Sequence, residues 1–314
     1  MTDSRLQYHR LFDPGKATPP ERADGGKGFG DHRETSAYVY TEAVILAVNV
    51  ALATARPLLV RGAAGSGKSS LAADVAARKQ WDLYSEVISS RTEAKDLLWR
   101  FDALRRLRDA QAGDLAEDQR RYIRPGVLWH AFDPASAAGF GPTSGARPVT
   151  GAGGAVVLLD EIDKAEPDTP NDLLVPLGAG TFTVTDLEPA LDVSVQRAQQ
   201  PLIIITTNEE RDLPQAFVRR CVVLHLPPPG PDRLVAIAAA HFGKQGRKLH
   251  QRLALYFEEA RGRAESAGVA PPSTAEFLDA LAASRELRIE DDGPEWQALM
   301  RATLTKWLPD AGTP

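Results

Sequence analysis

The chain has 314 residues, of which 43% are hydrophobic and 25% charged, a composition typical of globular proteins. The formal net charge of -5 argues against general binding of nucleic acid, and the single cysteine, Cys221, excludes an internal disulfide and agrees with a reducing compartment. The N-terminal sequence lacks the apolar segment of a secretory signal, and no apolar run is long enough to span a bilayer. We therefore expect a soluble cytoplasmic protein of about two domains that does not bind membranes.

Residues 1–36 are polar and rich in glycine and proline, which predicts an irregular N-terminal arm. Phe12 and Phe29 are the residues of this arm that could hold parts of it against the folded body. The alanine-rich segment 42–55 then predicts a largely buried helix, which leads into a short apolar strand at 57–60.

A glycine-rich loop follows that strand and opens a helix. Residues 62–69, GAAGSGKS, fit the phosphate-binding template G-x-x-x-x-G-K-[ST] at every fixed position. The glycines allow backbone amides to face a phosphate, Lys68 would reach the β- and γ-phosphates, and the Ser69 hydroxyl would bind Mg²⁺. A chance glycine-rich turn is the alternative, and the flanking strand and helix favour nucleotide binding. The predicted nucleotide contacts are Gly62, Ala63, Ala64, Gly65, Ser66, Gly67, Lys68, Ser69 and Ser70.

Helical and extended patterns alternate after the loop. We predict a helix at 68–80, a strand at 81–88 and a single helix at 92–110. The apolar face of the last helix would carry Leu97, Leu98, Phe101, Leu104 and Leu107. The pattern weakens over 111–154, which contains a short element, YIRPGVLWHAF, and a glycine-rich loop, and we interpret this region as an insertion.

Two continuous apolar runs, 155–159 and 202–207, are typical of strands buried on both faces of a parallel sheet. The segments around them predict a helix at 169–177, a hairpin at 181–195 and a last strand at 221–226. Strands that alternate with helices indicate an α/β fold with a parallel sheet flanked by helices.

The proline block 227–229 can continue neither a strand nor a helix, so it is the predicted domain boundary. We expect an α/β domain at 37–229 and an all-helical domain at 230–314. Ser273 and Glu276 have the spacing of a capping box at the start of one helix. The predicted apolar faces of the helical domain carry Leu234, Ile237, Ala238, His241 and Phe242, and Trp296, Met300, Leu304 and Trp307.

Polar residues follow both buried strands. Asp160 and Glu161 end the first, and we predict that Asp160 holds Mg²⁺ while Glu161 polarises the attacking water. Asn208 directly follows the second strand, where its amide could hold the water or the γ-phosphate. The alternatives are that the acids simply end a strand and that Asn208 is a turn residue.

Taken together, GAAGSGKS, VVLLDEIDKAEPDTPNDLL, IIITTNEERDLPQAFVRRC and the helical C-terminal region resemble the AAA+ module of P-loop NTPases, and within it the MoxR-type ATPases. The resemblance implies Walker A at 62–69, Walker B at Asp160 and Glu161, sensor 1 at Asn208 and a helical lid. It also implies an arginine finger that acts across a subunit interface, Arg220 or the adjacent Arg219. The alternative for each arginine is a surface ion pair.

The chain departs from the family pattern in the lid, where many relatives carry a sensor 2 arginine and this chain reads APPSTAEFLDAL. Arg261, Arg263 and Arg285 are conceivable substitutes, and none of them is favoured. The insertion is similar to the helix-2 insert of the MoxR clade, which faces a pore or a substrate. A local arginine cluster is interleaved with acids, so we interpret it as a solvated salt-bridged face: Arg100, Arg105, Arg106, Arg108, Arg120, Arg121 and Arg124.

The leading hypothesis is therefore an ATPase that uses ATP and Mg²⁺, assembles into a homo-oligomeric ring, which would be a hexamer, and remodels a protein partner. The alternatives are a nucleotide-gated regulatory switch of a defence or signalling system, which a missing sensor 2 arginine permits, and a subunit of a nucleic-acid translocase. The acidic net charge argues against the translocase.

Overall fold

The computed structural model describes residues 8–17, 38–114, 116, 118–140, 154–195 and 200–306. These residues form two compact units, and each unit is described separately. The sheet unit holds the described residues of Met1–Pro19, Tyr40–Arg61 and Leu71–His225. The helical unit holds those of Pro20–Val39, Gly62–Ser70 and Leu226–Pro314.

The strands are β1 Leu58–Arg61, β2 Asp82–Val87, β3 Trp99–Phe101, β4 Ile123–Pro125, β5 Ala155–Asp160, β6 Thr181–Val184, β7 Leu191–Ser194, β8 Leu202–Thr207 and β9 Val222–His225. The helices are α1 Glu42–Thr54, α2 Lys68–Lys79, α3 Ala94–Leu98, α4 Ala103–Gln111, α5 Val127–Phe132, α6 Pro134–Ala137, α7 Asp168–Asp172, α8 Leu174–Ala179, α9 Gln215–Val218, α10 Pro231–Phe242, α11 Arg247–Ala267, α12 Thr274–Glu286 and α13 Gly293–Thr303.

The central sheet has five strands in the order β2-β5-β8-β1-β9, and all of its pairings are parallel. The two continuous apolar runs form β5 and β8 at interior positions of the sheet, as predicted, because only a strand covered on both faces buries every side chain. Since all five strands run the same way, their carboxyl ends share one edge. The parallel α/β fold is confirmed.

The prediction of a single helix at 92–110 is wrong. The chain forms α3, then β3, then α4, because β3 pairs in antiparallel fashion with β4, which lies about twenty residues further along. Leu104 and Leu107 lie on α4, as their spacing indicated, but they are 74% and 56% exposed and belong to no core.

The helix predicted at 169–177 is also divided, into α7 and α8. Pro176 explains the break, because it has no N–H to donate to the carbonyl of Asp172 four residues earlier. The predicted hairpin at 181–195 is confirmed as the antiparallel pair β6 and β7.

The N-terminal segment 8–17 contains no helix or strand, as predicted, and it is fastened to α1. Phe12 is 2% exposed, so this residue does hold the arm against the body. The buried amide of Asn49 accepts hydrogen bonds from the N–H groups of Leu11 and Phe12, at 2.6 and 2.9 Å, and donates to the Phe12 carbonyl at 2.8 Å. Phe29 lies outside the described residues.

The helical unit contains α10 to α13, and its core includes Leu234, Phe257, Phe277, Trp296 and Met300. Of the residues predicted on the apolar faces, five are buried in this core and two pack against it: Leu234, Ala238, Trp296, Met300 and Leu304 are buried, and Ile237 and Phe242 are partly buried. Trp307 lies outside the described residues. The capping box is also confirmed, because the side chains of Ser273 and Glu276 exchange hydrogen bonds with each other's backbone N–H. Within the described part of the chain, no helix has both the length and the apolarity needed to cross a membrane.

Candidate active site

The phosphate-binding loop begins at Gly62, one residue after β1 ends. Its three glycines have positive φ, of 153° at Gly62, 71° at Gly65 and 89° at Gly67. A Cβ atom at Gly62 would lie 2.6 Å from the Leu226 carbonyl oxygen, and one at Gly65 would lie 2.5 Å from the Cβ of Ser273. Both backbone conformation and close approach therefore require glycine in this loop.

Lys68 supplies the positive charge of the loop. It is only 6% exposed, and its Nζ donates to the carbonyl oxygens of Gly62 at 2.7 Å and of Ala63 at 2.9 Å. Ser69 and Ser70 follow in the first turn of α2 and are half-buried, whereas residues 63–65 are exposed. A glycine turn with a buried ammonium group at a helix N-terminus fits a nucleotide phosphate.

The acid pair lies at the carboxyl end of β5. Leu159 is level with Ile205 in the sheet, so Asp160 lies beside Thr206 of β8. The buried hydroxyl of Thr206 donates to Asp160 Oδ1 at 2.5 Å and accepts from the backbone N–H of Glu161 at 2.9 Å. One threonine therefore orients the Asp160 carboxylate and fixes the backbone of the next residue.

Glu161 is held in an unusual conformation, with φ 61° and ψ 49°, in the left-handed region. Asn208, which follows β8, donates its side-chain N–H to Glu161 Oε1 at 3.0 Å. The structure thus brings Asp160, Glu161 and Asn208 into one hydrogen-bonded network. Left-handed backbone at a residue with a side chain is typical of functional sites, where surrounding contacts compensate for the strain.

Two members of this network, Thr206 and Asp163, were not predicted from the sequence. Thr206 is the first polar residue after LIII in the apolar strand β8, and its position level with Asp160 across the sheet is known only from the structure. Asp163 is the third acid of the segment DEID, is 3% exposed, and accepts the backbone N–H groups of Asn208 and Glu210. A buried acid in such a turn can be recognised only when its partners are known.

Arg219 and Arg220 follow α9 and are exposed. Arg220 donates to the Ala216 carbonyl at 3.4 Å. Within the described residues neither guanidinium group forms an ion pair, and neither is bonded to the network of Asp160, Glu161 and Asn208. The surface ion pair weighed as their alternative is therefore not observed in that part of the chain.

The remaining candidates have structural explanations. The predicted salt-bridged face is confirmed for three of the seven arginines of the cluster, Arg100, Arg121 and Arg124, with pairs such as Arg100–Glu86 at 2.8 Å and Arg124–Asp102 at 3.1 Å. Burial raises the pKa of the Cys221 thiol to about 11, which keeps it neutral. Among the residues that the structure describes, no group of His, Cys, Asp and Glu side chains has the arrangement of a metal site.

Comparison with known proteins agrees with this geometry. The family model of the AAA domain (dynein-related subfamily) matches residues 57–221, which is more than half of the chain. The matched region includes the phosphate-binding loop, the acid pair, Asn208 and both arginines. No curated protein matches the chain. On the strength of the family match, together with the parallel sheet and the loop that follows β1, the chain belongs to the dynein-related subfamily of AAA domains.

Proposed function

We propose that this protein is an Mg²⁺-dependent ATPase of the MoxR type, which forms a ring and uses ATP hydrolysis to remodel a protein partner. The AAA domain is an ATPase domain, and such domains usually form oligomers. The single observation that carries the proposal is the hydrogen-bonded network at the ends of β5 and β8, because it orients a carboxylate pair as hydrolysis requires.

The loop residues 62–70 would hold the nucleotide phosphates, with backbone N–H groups freed by the three glycines and with the Lys68 ammonium group as countercharge. Ser69 and Asp160 would hold the Mg²⁺ ion. Bound Mg²⁺ neutralises the charge that develops on the phosphate oxygens during phosphoryl transfer.

Glu161 is the proposed general base. Its Oε1 accepts the Asn208 amide, so the second carboxylate oxygen is available to take a proton from water. Asn208 holds the carboxylate in one orientation, and Thr206 fixes the backbone on which that carboxylate is carried. Base catalysis therefore depends on the junction of β5 with β8.

Steady-state ATP hydrolysis by Glu161→Gln tests this assignment. We expect a decrease in kcat of about a hundredfold or more, since general base catalysis contributes about 10²–10⁴-fold, with nucleotide affinity retained. Glu166→Gln is the matched control, because Glu166 is an exposed acid a few residues away. Equal rates for wild type and Glu161→Gln would overturn the role of Glu161 as the base.

We propose Arg220, with Arg219 as the neighbouring candidate, as the finger that acts on the nucleotide of an adjacent subunit. Both side chains are exposed and form no described ion pair, so they are available at a subunit interface. In related chemistry an arginine supplied in trans contributes about 10³–10⁵-fold.

A mixing experiment tests the shared site. Lys68→Ala keeps the arginines and lacks the phosphate countercharge, whereas Arg220→Ala has the reverse defect. We expect each variant alone to be inactive and a mixture of the two to regain activity, together with a ring-sized, hexameric mass by light scattering. Full activity of Arg220→Ala and of Arg219→Ala, or full activity as a monomer, would contradict the proposal.

We further propose that the segment carrying α4 recognises the partner. Leu104 and Leu107 are exposed on one side of this amphipathic helix and are not used by the core. Replacing both by serine should leave basal ATP hydrolysis unchanged and abolish stimulation by a co-purifying partner. Unchanged stimulation would move partner recognition away from α4.

A slow nucleotide-gated switch is the second candidate, and the lid favours it. Ser273 caps α12 and approaches Gly65, and the start of this helix lacks the sensor 2 arginine that the family resemblance implies there. The turnover number separates the two functions: a rate well above about 10⁻² s⁻¹, the intrinsic rate of a Gα subunit, contradicts a pure timer.

A further inference from the structure

Asp163 is buried behind the proposed catalytic network and is not needed as a base or a metal ligand. It lies in the short turn Ile162–Lys164, two residues after Glu161. Its Oδ2 accepts the backbone N–H of Asn208 at 3.2 Å and that of Glu210 at 3.0 Å. The side chain is 3% exposed, and Oδ1 accepts no hydrogen bond from the described residues. Within the described residues, the two backbone amides are therefore the hydrogen-bond donors to this buried carboxylate.

The two amides flank a strained residue. Glu209 has φ 62°, in the left-handed region, and its own N–H donates to the Thr207 hydroxyl at 2.9 Å. A residue with a side chain adopts this conformation rarely, and contacts around it must then compensate for the strain. Asp163 bonds on either side of Glu209, and the Lys164–Glu210 ion pair at 3.2 Å closes the outer side of the same turn. Asp163 thus fixes the backbone course of 208–210.

The direction of the Asn208 side chain follows from that course. Its amide reaches Glu161 Oε1 only while the backbone of the turn holds it there. Asp163, Asn208 and Glu161 therefore form a closed ring, in which covalent chain joins Asp163 to Glu161 and hydrogen bonds make the other two links.

We propose that Asp163 is a positioning residue of the ATPase, which orients the general base Glu161 through Asn208. The inference rests on the proposed function. Because Asp163 is 3% exposed and its hydrogen bonds among the described residues go to Asn208 and Glu210, its removal should disturb catalysis and leave nucleotide binding intact.

Asp163→Asn tests the inference, since it keeps the shape of the side chain, replaces the carboxylate acceptor of the two N–H groups by a weaker neutral oxygen, and puts an NH2 group at the buried position of Oδ1, which accepts no hydrogen bond from the described residues. We expect kcat to decrease by about tenfold or more, because small displacements of a catalytic group have large effects, while KM for ATP and the nucleotide Kd change less than about twofold. Asp172→Asn is the matched control, as Asp172 is an exposed acid nearby.

Two further readouts separate positioning from general damage. In the nucleotide-free protein, the N–H groups of Asn208 and Glu210 should exchange with deuterium faster in Asp163→Asn, while those of β8 keep their protection. In an Asn208→Ala background, Asp163→Asn should lower kcat by less than about twofold, because its route to Glu161 is already removed. Equal and independent decreases in both backgrounds would overturn the inference.

If Asp163→Asn does not fold, Thr207→Val tests the same turn by removing the acceptor of the Glu209 N–H. It should speed deuterium exchange at Asn208 and Glu210 and lower kcat without changing KM, and faster exchange with an unchanged kcat would overturn the inference, because the course of 208–210 would then not orient the base. Failure of the proposed function is distinguishable, because it appears as equal hydrolysis by wild type and Glu161→Gln. An active wild type with an unaltered Asp163→Asn variant would contradict the role of Asp163 alone.

Discussion

A buried histidine makes the sheet unit sensitive to acid. His130 lies on α5, is 8% exposed, and stacks on Tyr84 of β2 with ring centroids 5.6 Å apart. Burial disfavours the charged imidazolium and lowers the pKa of His130 from 6.5 to about 4. Between these two values the unfolded chain binds a proton that the folded chain does not, so the contribution of His130 to stability is present above pH 6.5 and is lost as the pH falls towards 4.

The size of the effect follows from the two pKa values. Lowering the pH from 8 to 5 should reduce the free energy of unfolding by about 2 kcal/mol through His130, and the full difference of about 3 kcal/mol is reached below pH 4. His130→Phe retains an aromatic ring against Tyr84 and cannot be protonated. Any packing penalty of the larger ring is present at both pH values and cancels in the comparison.

Urea unfolding at pH 8 and pH 5, followed by tryptophan fluorescence and circular dichroism, measures this difference. Wild type should lose about 2 kcal/mol more than His130→Phe between the two pH values. His9→Phe, which replaces an exposed histidine, is the matched control and should behave like wild type. The same loss in wild type and His130→Phe would refute the reasoning, because other titrating groups are common to both proteins.

Three further substitutions probe the loop, the N-terminal segment and the strand junction. Gly65→Ala should weaken binding of a fluorescent ATP analogue at least tenfold, because the new Cβ would lie 2.5 Å from that of Ser273 at φ 71°, and adding Ser273→Gly should restore part of the affinity. Asn49→Ala should lower the free energy of unfolding by about 2 kcal/mol and expose segment 8–17 to protease, since its buried amide bonds both Leu11 and Phe12; unchanged cleavage would contradict this. Thr206→Val should lower kcat about tenfold or more with KM unchanged, because it removes the bonds to Asp160 and to the Glu161 N–H, and a wild-type kcat would show that the threonine is dispensable.

The sheet could be predicted because its two most buried strands, β5 and β8, consist mainly of apolar residues. Each side chain of β8 is buried, and nearly all of β5, so continuous apolarity alone indicated strands covered on both faces. The phosphate-binding loop could also be predicted, because the positive φ angles at Gly62, Gly65 and Gly67 depend on local backbone conformation and favour glycine at these positions.

The errors arise where distant pairing overrides local pattern. Leucines at 104 and 107 have helical spacing, and they do lie on a helix, but the spacing does not show that Trp99–Phe101 pairs with Ile123–Pro125 instead of extending that helix. Nor does amphipathic spacing reveal whether an apolar face is covered by the chain itself. The exposure of Leu104 and Leu107 is a property of the tertiary structure.

Thr206 and Asp163, the two site residues that were not predicted from the sequence, have the same structural role. Each is a buried polar side chain that bonds the backbone at a residue in the left-handed region: Thr206 accepts the N–H of Glu161, and Asp163 accepts the N–H groups on either side of Glu209. Such a conformation is unfavourable by about 1–3 kcal/mol, so each strained residue requires a nearby bond to keep it there. The direction of the proposed base therefore depends on bonds that cross from one strand end to the other. Substitutions at these two positions should thus affect the rate of hydrolysis more strongly than the stability of the sheet, whose core they leave intact.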